Sequence, residues 1–452
     1  MHKLVERIAL FLISLGGGLA AGSAVHSDYW WNGPLGLICI TFAFTQARSA
    51  KAAAMIGWIG GVFYFSAALP FLLSGYAAIG MTGLQPVLGV IGLYLLLSMW
   101  WPVAFAVAHS LAKGPLALSL LWGIAELLRS QVFPAIPVAQ IASIWSQTPV
   151  VLLSNHLSVE LLGSLLLALC VVAAFDLSKW RFPWGSAVLW LATAFMGGTM
   201  ARLPQDMPEL PLIVAIDTAI PQNQRWNEDL MPGYMNNLIA RTRIAYEAGA
   251  ELVVWPEVAV PYFPDELEAA LADARPPYGA YLALGLMTPV EQQPGRYWNS
   301  FLVLDSELQE VARYDKRKLF PFGEYIPYAE QLERWLGMST IAASPNAIAQ
   351  GTREALMDIP GLPGTLIPQI CYEGSFALSH AERDAPGAYI VNISNDAWWA
   401  GSGGAYFVEQ EARQRAIEAG LPLIRVPNMH KATIYDAAGN PVPENHSLSN
   451  LN

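Results

Sequence analysis

Ile367-Pro-Gln-Ile-Cys371-Tyr-Glu-Gly374 is a short apolar run that ends on a thiol, and the fold of its half of the chain turns on it. A run of this length bounded by glycine reads as a buried strand, and the pattern after it predicts a helix over 374–381. A cysteine at such a junction faces backbone amides that favour a thiolate and can hold an oxyanion. Cys39 and Cys170 lie in long apolar runs far upstream, so Cys371 has no evident disulfide partner. It is either an inert core residue or a reactive thiol.

Two other stretches have the same form of chemistry at a strand end. Val253-Val-Trp-Pro-Glu257-Val-Ala-Val-Pro261 places a carboxylate after an apolar strand. Tyr314-Asp-Lys316-Arg-Lys-Leu-Phe-Pro-Phe-Gly-Glu324-Tyr-Ile-Pro327 places a basic cluster after another. Each taken alone is also a solvated strand end or loop. Around them, short buried strands are expected at 211–216, 251–255, 281–286, 300–304, 310–313, 365–370, 389–393 and 422–426. Helical patterns fall at 234–248, 264–274 and 406–419. Strands alternating with helices predict an α/β sheet domain, and about 250 residues suffice for one substantial core.

The preceding 202 residues have a different chemistry. They hold 9 basic and 5 acidic side chains, against 16 and 31 in the remainder. The whole chain is 54% hydrophobic and only 13% charged, which excludes a single soluble globule, a disordered chain and a fibre. The acidic half excludes nucleic acid as a partner, because phosphate neutralisation needs basic surface. Apolar runs at 4–24, 33–47, 52–73, 84–111, 115–128, 157–175 and 184–201 predict about seven membrane spans. Lys3, Arg7, Arg48, Lys51, Lys113, Lys179 and Arg181 occupy alternate connections, which puts the N-terminus in the cytoplasm and 203–442 outside it. The start of the chain also has the form of a signal peptide, whose cleavage would leave that side unchanged. Within this half, Glu126 and Arg129 are spaced to pair on one helical face. The expected division is therefore a membrane domain over 1–202, an extracytoplasmic domain over 203–442 and a polar tail over 443–452.

Together the three stretches resemble the nitrilase superfamily, whose catalytic unit is Glu–Lys–Cys. Joined to the apolar spans, they resemble the apolipoprotein N-acyltransferase family. The resemblance extends to Ile220-Pro-Gln-Asn-Gln-Arg-Trp226, Asn392-Ile-Ser-Asn-Asp396-Ala-Trp398, Arg413-Gln-Arg415-Ala-Ile-Glu418, Leu423-Ile-Arg425 and, in the membrane half, Trp122, Glu126 and Arg129. It implies an αββα nitrilase-like domain after the helical membrane bundle. It implies Glu257 as general base, Cys371 as nucleophile forming a thioester, and Lys316 as oxyanion stabiliser with the Tyr372 amide as a second donor. Lys316, not Lys318, has the family's spacing of eight to Glu324. Glu324 and Glu373 would be supporting carboxylates. Trp226, Tyr372 and Trp398 would line the acyl site, with Trp399 an alternative to Trp398. The implied activity moves a fatty acyl group from phospholipid to the amine of a lipoprotein, or of another acceptor, at the outer face of a bacterial inner membrane. Family members resemble monomers.

The chain departs from the family in places. Gly404-Ala-Tyr-Phe-Val-Glu-Gln410 replaces Gly-Pro-x-Gln-His, Pro427-Asn-Met-His-Lys431 replaces Thr-Asn-x-Gly, and Phe133-Pro-Ala-Ile-Pro137 stands where Phe-Pro-Trp is usual. Nothing after Thr433 is apolar enough to form the family's last membrane helix. These departures touch substrate-holding regions and leave Glu257, Lys316 and Cys371 intact. They also resemble a shorter branch found among plasmid conjugal-transfer proteins, often called TraB, with another acyl or amide substrate or a scaffold role. No His-Glu-x-x-His, Cys-x-x-Cys or Gly-x-Ser-x-Gly occurs, and neither metal nor cofactor is implied.

Overall fold

The computed structural model describes residues 2–78, 83–132, 134–201, 208–225, 227–260, 264–291, 293–321, 323–325, 334 and 348–442. Trp226 and the tail 443–452 lie outside them. The chain forms two compact units.

The first unit takes Met1–Ala77, Met81–Pro204 and Ser402–Glu418. Its helices are α1 (His2–Ser23), α2 (Asn32–Thr45), α3 (Ala50–Ala68), α4 (Leu72–Ala78), α5 (Leu84–Ser98), α6 (Trp100–Leu111), α7 (Pro115–Gln131), α8 (Ser154–Leu157), α9 (Val159–Ser178) and α10 (Trp184–Met200). Every apolar run read from the sequence is helical. Among the described residues, four stretches are long and apolar enough to cross a membrane: Leu4–His26, Ala50–Ala68, Leu84–Leu111 and Val159–Ser178. Asn32–Thr45 is a shorter apolar helix. Small residues let α1 approach its neighbours, as in membrane helix pairs. A Cβ on Gly22 would stand 2.1 Å from the Tyr64 carbonyl of α3, and one on Gly36 of α2 would stand 2.3 Å from the Gly17 carbonyl.

Glu126 and Arg129 do pair, at 2.8 Å. Trp101 Nε1 donates to Glu126 at 2.7 Å, and Arg129 donates to the carbonyls of Ile136 and Val138. The pair therefore pins the chain that leaves α7.

The second unit takes Ala78–Gly80, Gln205–Gly401 and Ala419–Asn452. One sheet runs β1 (Ile213–Ala215), β2 (Leu252–Val254), β3 (Tyr281–Pro289), β4 (Tyr297–Leu304) and β5 (Glu310–Asp315) in that order. The other runs β6 (Leu366–Ile370), β7 (Tyr389–Asn395), β8 (Leu423–Asn428) and β9 (Thr433–Tyr435). All eight expected strands are present. β9, three residues long, was too short to announce itself. Alternation sorts the first sheet's side chains. Ile213, Val254, Ala283 and Phe301 pack with Ile370, Val391 and Val426 of the second sheet. Val214, Trp255, Leu284 and Leu302 pack instead with Met235 and Leu238 of α11 (Met231–Glu247) and Leu267 of α12 (Pro264–Ala270).

One expectation needs correction. The helix expected over 374–381 is absent: Cys371–Ser375 is a five-residue 3-10 turn, and α13 covers only His380–Arg383. Glu373 takes the Ile370 N–H and Ser379 caps α13 afresh, so the chain breaks between them. α14 (Gly404–Ala419), which lies within the expected 203–442 domain, groups through Glu418 with the first unit. Its polar face explains why. Arg415 pairs with Glu160 of α9 at 2.7 Å and with Glu418 at 2.6 Å; Glu411 accepts from Ser143, and Glu418 accepts the Val159 N–H.

Candidate active site

Strand ends bring the three expected residues together. Glu257 follows β2, Lys316 follows β5 and Cys371 follows β6. Glu257 is 7% and Lys316 1% exposed, so both charges need partners. Glu257 Oε1 accepts from Asn299 Nδ2 at 2.7 Å and lies 3.7 Å from Lys316 Nζ. Its Oε2 accepts the backbone N–H of Asn395 at 2.8 Å. Lys316 Nζ donates to Glu324 Oε1 at 2.7 Å, while Glu324 Oε2 takes the Phe320 N–H. The Lys316 backbone is held on both sides: its N–H donates to Asn299 O and its carbonyl accepts from Gly351, each at 2.8 Å.

The electrostatics assign different characters to these groups. Burial works against the Lys316 ammonium, but Glu324 and Glu257 outweigh it and raise its pKa. Lys316 therefore remains a cation and suits an oxyanion better than a proton. Burial pushes the Cys371 thiol up to about 12; Glu257 adds to this and Lys316 opposes it. The thiolate expected at a helix N-terminus is therefore not formed in advance, because no helix begins there and burial dominates. Cys371 has φ 52, a left-handed turn that ends the strand sharply at the thiol.

Glu373 links two of the loops. It accepts from Tyr314 Oη at 2.6 Å, from the backbone N–H groups of Arg317 and Lys318 at 2.8 and 3.0 Å, and from Ile370 N at 2.9 Å. It thus ties the lysine loop to the cysteine turn. The Tyr372 ring meets Phe320 and Phe376 edge-on at 5.0 and 5.1 Å. Trp398 is half-buried on the turn Asp396–Trp399 after β7. Trp226 lies outside the described residues.

The sequence reading missed three polar residues. Asn299 sits in the apolar strand β4 at 2% exposure, an unusual place for an amide unless it is bonded. Asn428 donates to Asn395 Oδ1 at 2.9 Å, and Asn395 Nδ2 donates to Gln222 at 2.7 Å. This relay fixes Asn395, whose N–H holds Glu257. The signal available was amides within runs of otherwise buried apolar residues.

The model of the carbon–nitrogen hydrolase family matches residues 217–449, and that of the apolipoprotein N-acyltransferase N-terminal domain matches 16–173. An apolipoprotein N-acyltransferase of Rhizobium meliloti is 32% identical over 418 residues, covering 87% of this chain and 77% of its own. That of Methylococcus capsulatus is 28% identical over 454 residues, covering 96% and 87%. Among solved structures, an amidase of Nesterenkonia sp. AN1 with acrylamide added at its active-site cysteine matches with TM-score 0.34 and 18% identity, over 51% of this chain and 86% of that one. A CN-hydrolase superfamily protein of Xanthomonas campestris matches with TM-score 0.37 and 18% identity, over 52% and 86%.

Proposed function

The chain belongs to the apolipoprotein N-acyltransferase family, and from that premise we propose that Cys371 carries a fatty acyl group as a thioester between a phospholipid donor and an amine acceptor. Family membership makes it a membrane acyltransferase. The observation that supports the mechanism is the buried Glu257 carboxylate 3.7 Å from the Lys316 ammonium, with both charges acting on the Cys371 thiol.

In the first half-reaction Glu257 takes the thiol proton as Sγ attacks the ester carbonyl. Lys316 stabilises the tetrahedral oxyanion. Collapse expels the lysophospholipid alkoxide, which receives the proton from Glu257 and leaves the thioester. In the second, a neutral amine attacks the thioester, Glu257 takes the amine proton, and the Cys371 thiolate leaves and regains it. The product is an amide, on the α-amine of a lipoprotein if the acceptor is that of the named relatives. Tyr372, Trp226 and Trp398 would line the acyl path. Seven spans, a cytoplasmic N-terminus, an extracytoplasmic catalytic unit and a monomer complete the reading. A lipid-borne donor and acceptor then meet the site at the outer membrane face, where tethering raises their effective concentration.

A second reading keeps the acyl chemistry and changes the acceptor, as in the TraB-like branch. Pro427-Asn-Met-His-Lys431 and Gly404-Ala-Tyr-Phe-Val-Glu-Gln410, both unlike the family pattern, favour it. Intact mass spectrometry of the detergent-purified protein after incubation with phospholipid tests the shared chemistry. A hydroxylamine-labile gain of one acyl mass is expected, and it should vanish in Cys371→Ala. No adduct on a thiol still open to alkylation would overturn the lipid donor. Rescue of cells depleted of their lipoprotein N-acyltransferase separates the two acceptors.

A further inference from the structure

β2 and β3 run parallel and in register as far as Val254 and Ala283, and the Trp255 N–H still donates to Ala283 O at 2.8 Å. A regular ladder would next bring the N–H two residues on, at Glu257, to Gly285 O. Instead the Ala259 N–H arrives there, at 3.2 Å. Four steps along one chain pass two along the other, so Pro256, Glu257 and Val258 are thrown out of the ladder as a special bulge of three residues against one. Three local features make this possible. Pro256 has no N–H to lose. Gly285 lies beneath the bulge, where a Cβ would stand 2.7 Å from Glu257 Cα and 2.8 Å from Val258 N. Val258 takes φ 42, a left-handed conformation that a β-branched residue holds only under constraint.

The bulge turns the carbonyls of Glu257 and Val258 out of the ladder and leaves them buried. One nitrogen of Arg225, Nη2, donates to both. Arg225 is itself 6% exposed, and burial pulls its pKa down against the opposing influence of Glu257 and Cys371. A planar guanidinium suits the task, because one of its nitrogens offers two hydrogens in fixed directions.

We propose that Arg225 is a positioning residue for the base: by holding the two bulge carbonyls, it fixes the direction in which the Glu257 carboxylate leaves the sheet. That direction sets the contacts with Asn299 and Asn395 and the 3.7 Å approach to Lys316. Arg225 acts through Glu257. The inference rests on the reading of Glu257 as the general base.

The test is single-turnover formation of the acyl-enzyme on the full-length protein in detergent, followed by intact mass over a range of phospholipid concentrations. Arg225→Met is expected to lower the saturating rate roughly 10–100-fold, since misplacing a reacting group by about 1 Å costs this much. Arg225→Lys should fall between it and wild type. The half-saturating phospholipid concentration should not change. Alkylation of Cys371 by iodoacetamide at about pH 10, where less help from a base is needed, should proceed as in wild type. A purely structural role would depress alkylation together with acylation. Gly285→Ala reaches the same bulge from the other side and serves if Arg225→Met does not fold; a saturating rate reduced in that way with alkylation intact supports the proposal. Acylation at the wild-type rate in Arg225→Met, or in Gly285→Ala where it must stand in, overturns it. So does a loss that lies only in half-saturation. Glu257→Gln is measured alongside. If it is inactive while Arg225→Met is normal, only the positioning role falls. If Glu257→Gln acylates normally, the base assignment falls as well.

Discussion

Asn299 Nδ2 donates to Glu257 Oε1 at 2.7 Å, and the Asn299 carbonyl accepts the Lys316 N–H at 2.8 Å. One strand residue therefore holds both the Glu257 carboxylate and the Lys316 backbone. Asn299→Ala should slow acyl-enzyme formation roughly 10–100-fold through loss of orientation. Asn299→Asp should be at least as slow at neutral pH, because it places a second carboxylate against Glu257. Single-turnover acylation checks both, and wild-type rates would remove Asn299 from the site.

The buried thiol gives a pH signature. Because burial and Glu257 hold the Cys371 pKa up at about 12, the thiolate population climbs throughout the accessible range. Alkylation by iodoacetamide should rise steadily with no plateau below about pH 10. Lys316 opposes the upward shift, so Lys316→Met should be alkylated more slowly at each pH. Mass-resolved alkylation rates decide this. A plateau near neutrality would mean a preformed thiolate and would leave Glu257 without its first task.

Glu411 gives the first unit a stability that depends on pH. Burial raises its carboxyl from 4.5 to about 7, against the opposing influence of Ser143, Arg415 and Arg129. The folded state therefore binds a proton that the unfolded chain releases above about pH 4.5, so stability falls as pH rises from there through about 7. The change amounts to at most about 3 kcal/mol. Glu411→Gln should flatten the slope, with a melting temperature in detergent nearly independent of pH across this range. An unchanged slope in the variant would assign the effect to other groups.

Sequence periodicity disclosed most of the architecture, because buried strands and membrane helices both write their burial into apolar runs. Glu257, Lys316 and Cys371 stand out in the sequence because each sits where an apolar strand ends. The helix expected after Gly374 was not there, since Glu373 spends its carboxylate on Ile370, Tyr314, Arg317 and Lys318 rather than in a helical turn. Asn299, Asn395 and Asn428 could not be ranked from sequence. Whether a buried amide is a hub or a passive member of a strand depends on partners 33 to 42 residues away, such as the Asn428–Asn395 and Asn299–Glu257 bonds. The destination of α14 was hidden for the same reason. Arg415 and Glu418 look like surface charges until Glu160 and Val159, more than 250 residues earlier, are beside them.

That long-range pairing makes the order of synthesis matter. Helices α1 to α10 leave the ribosome first, yet the unit they build is closed by a segment translated some 200 residues later. Until Arg415 emerges, Glu160 has only Gln140 as a side-chain partner among those that later hold it. The early helices are therefore made before the charged groups that later join them. No single cut between the halves would then yield two self-sufficient pieces: a fragment ending near Pro204 would lack its own keystone, and the remainder would carry a charged helix made for another body.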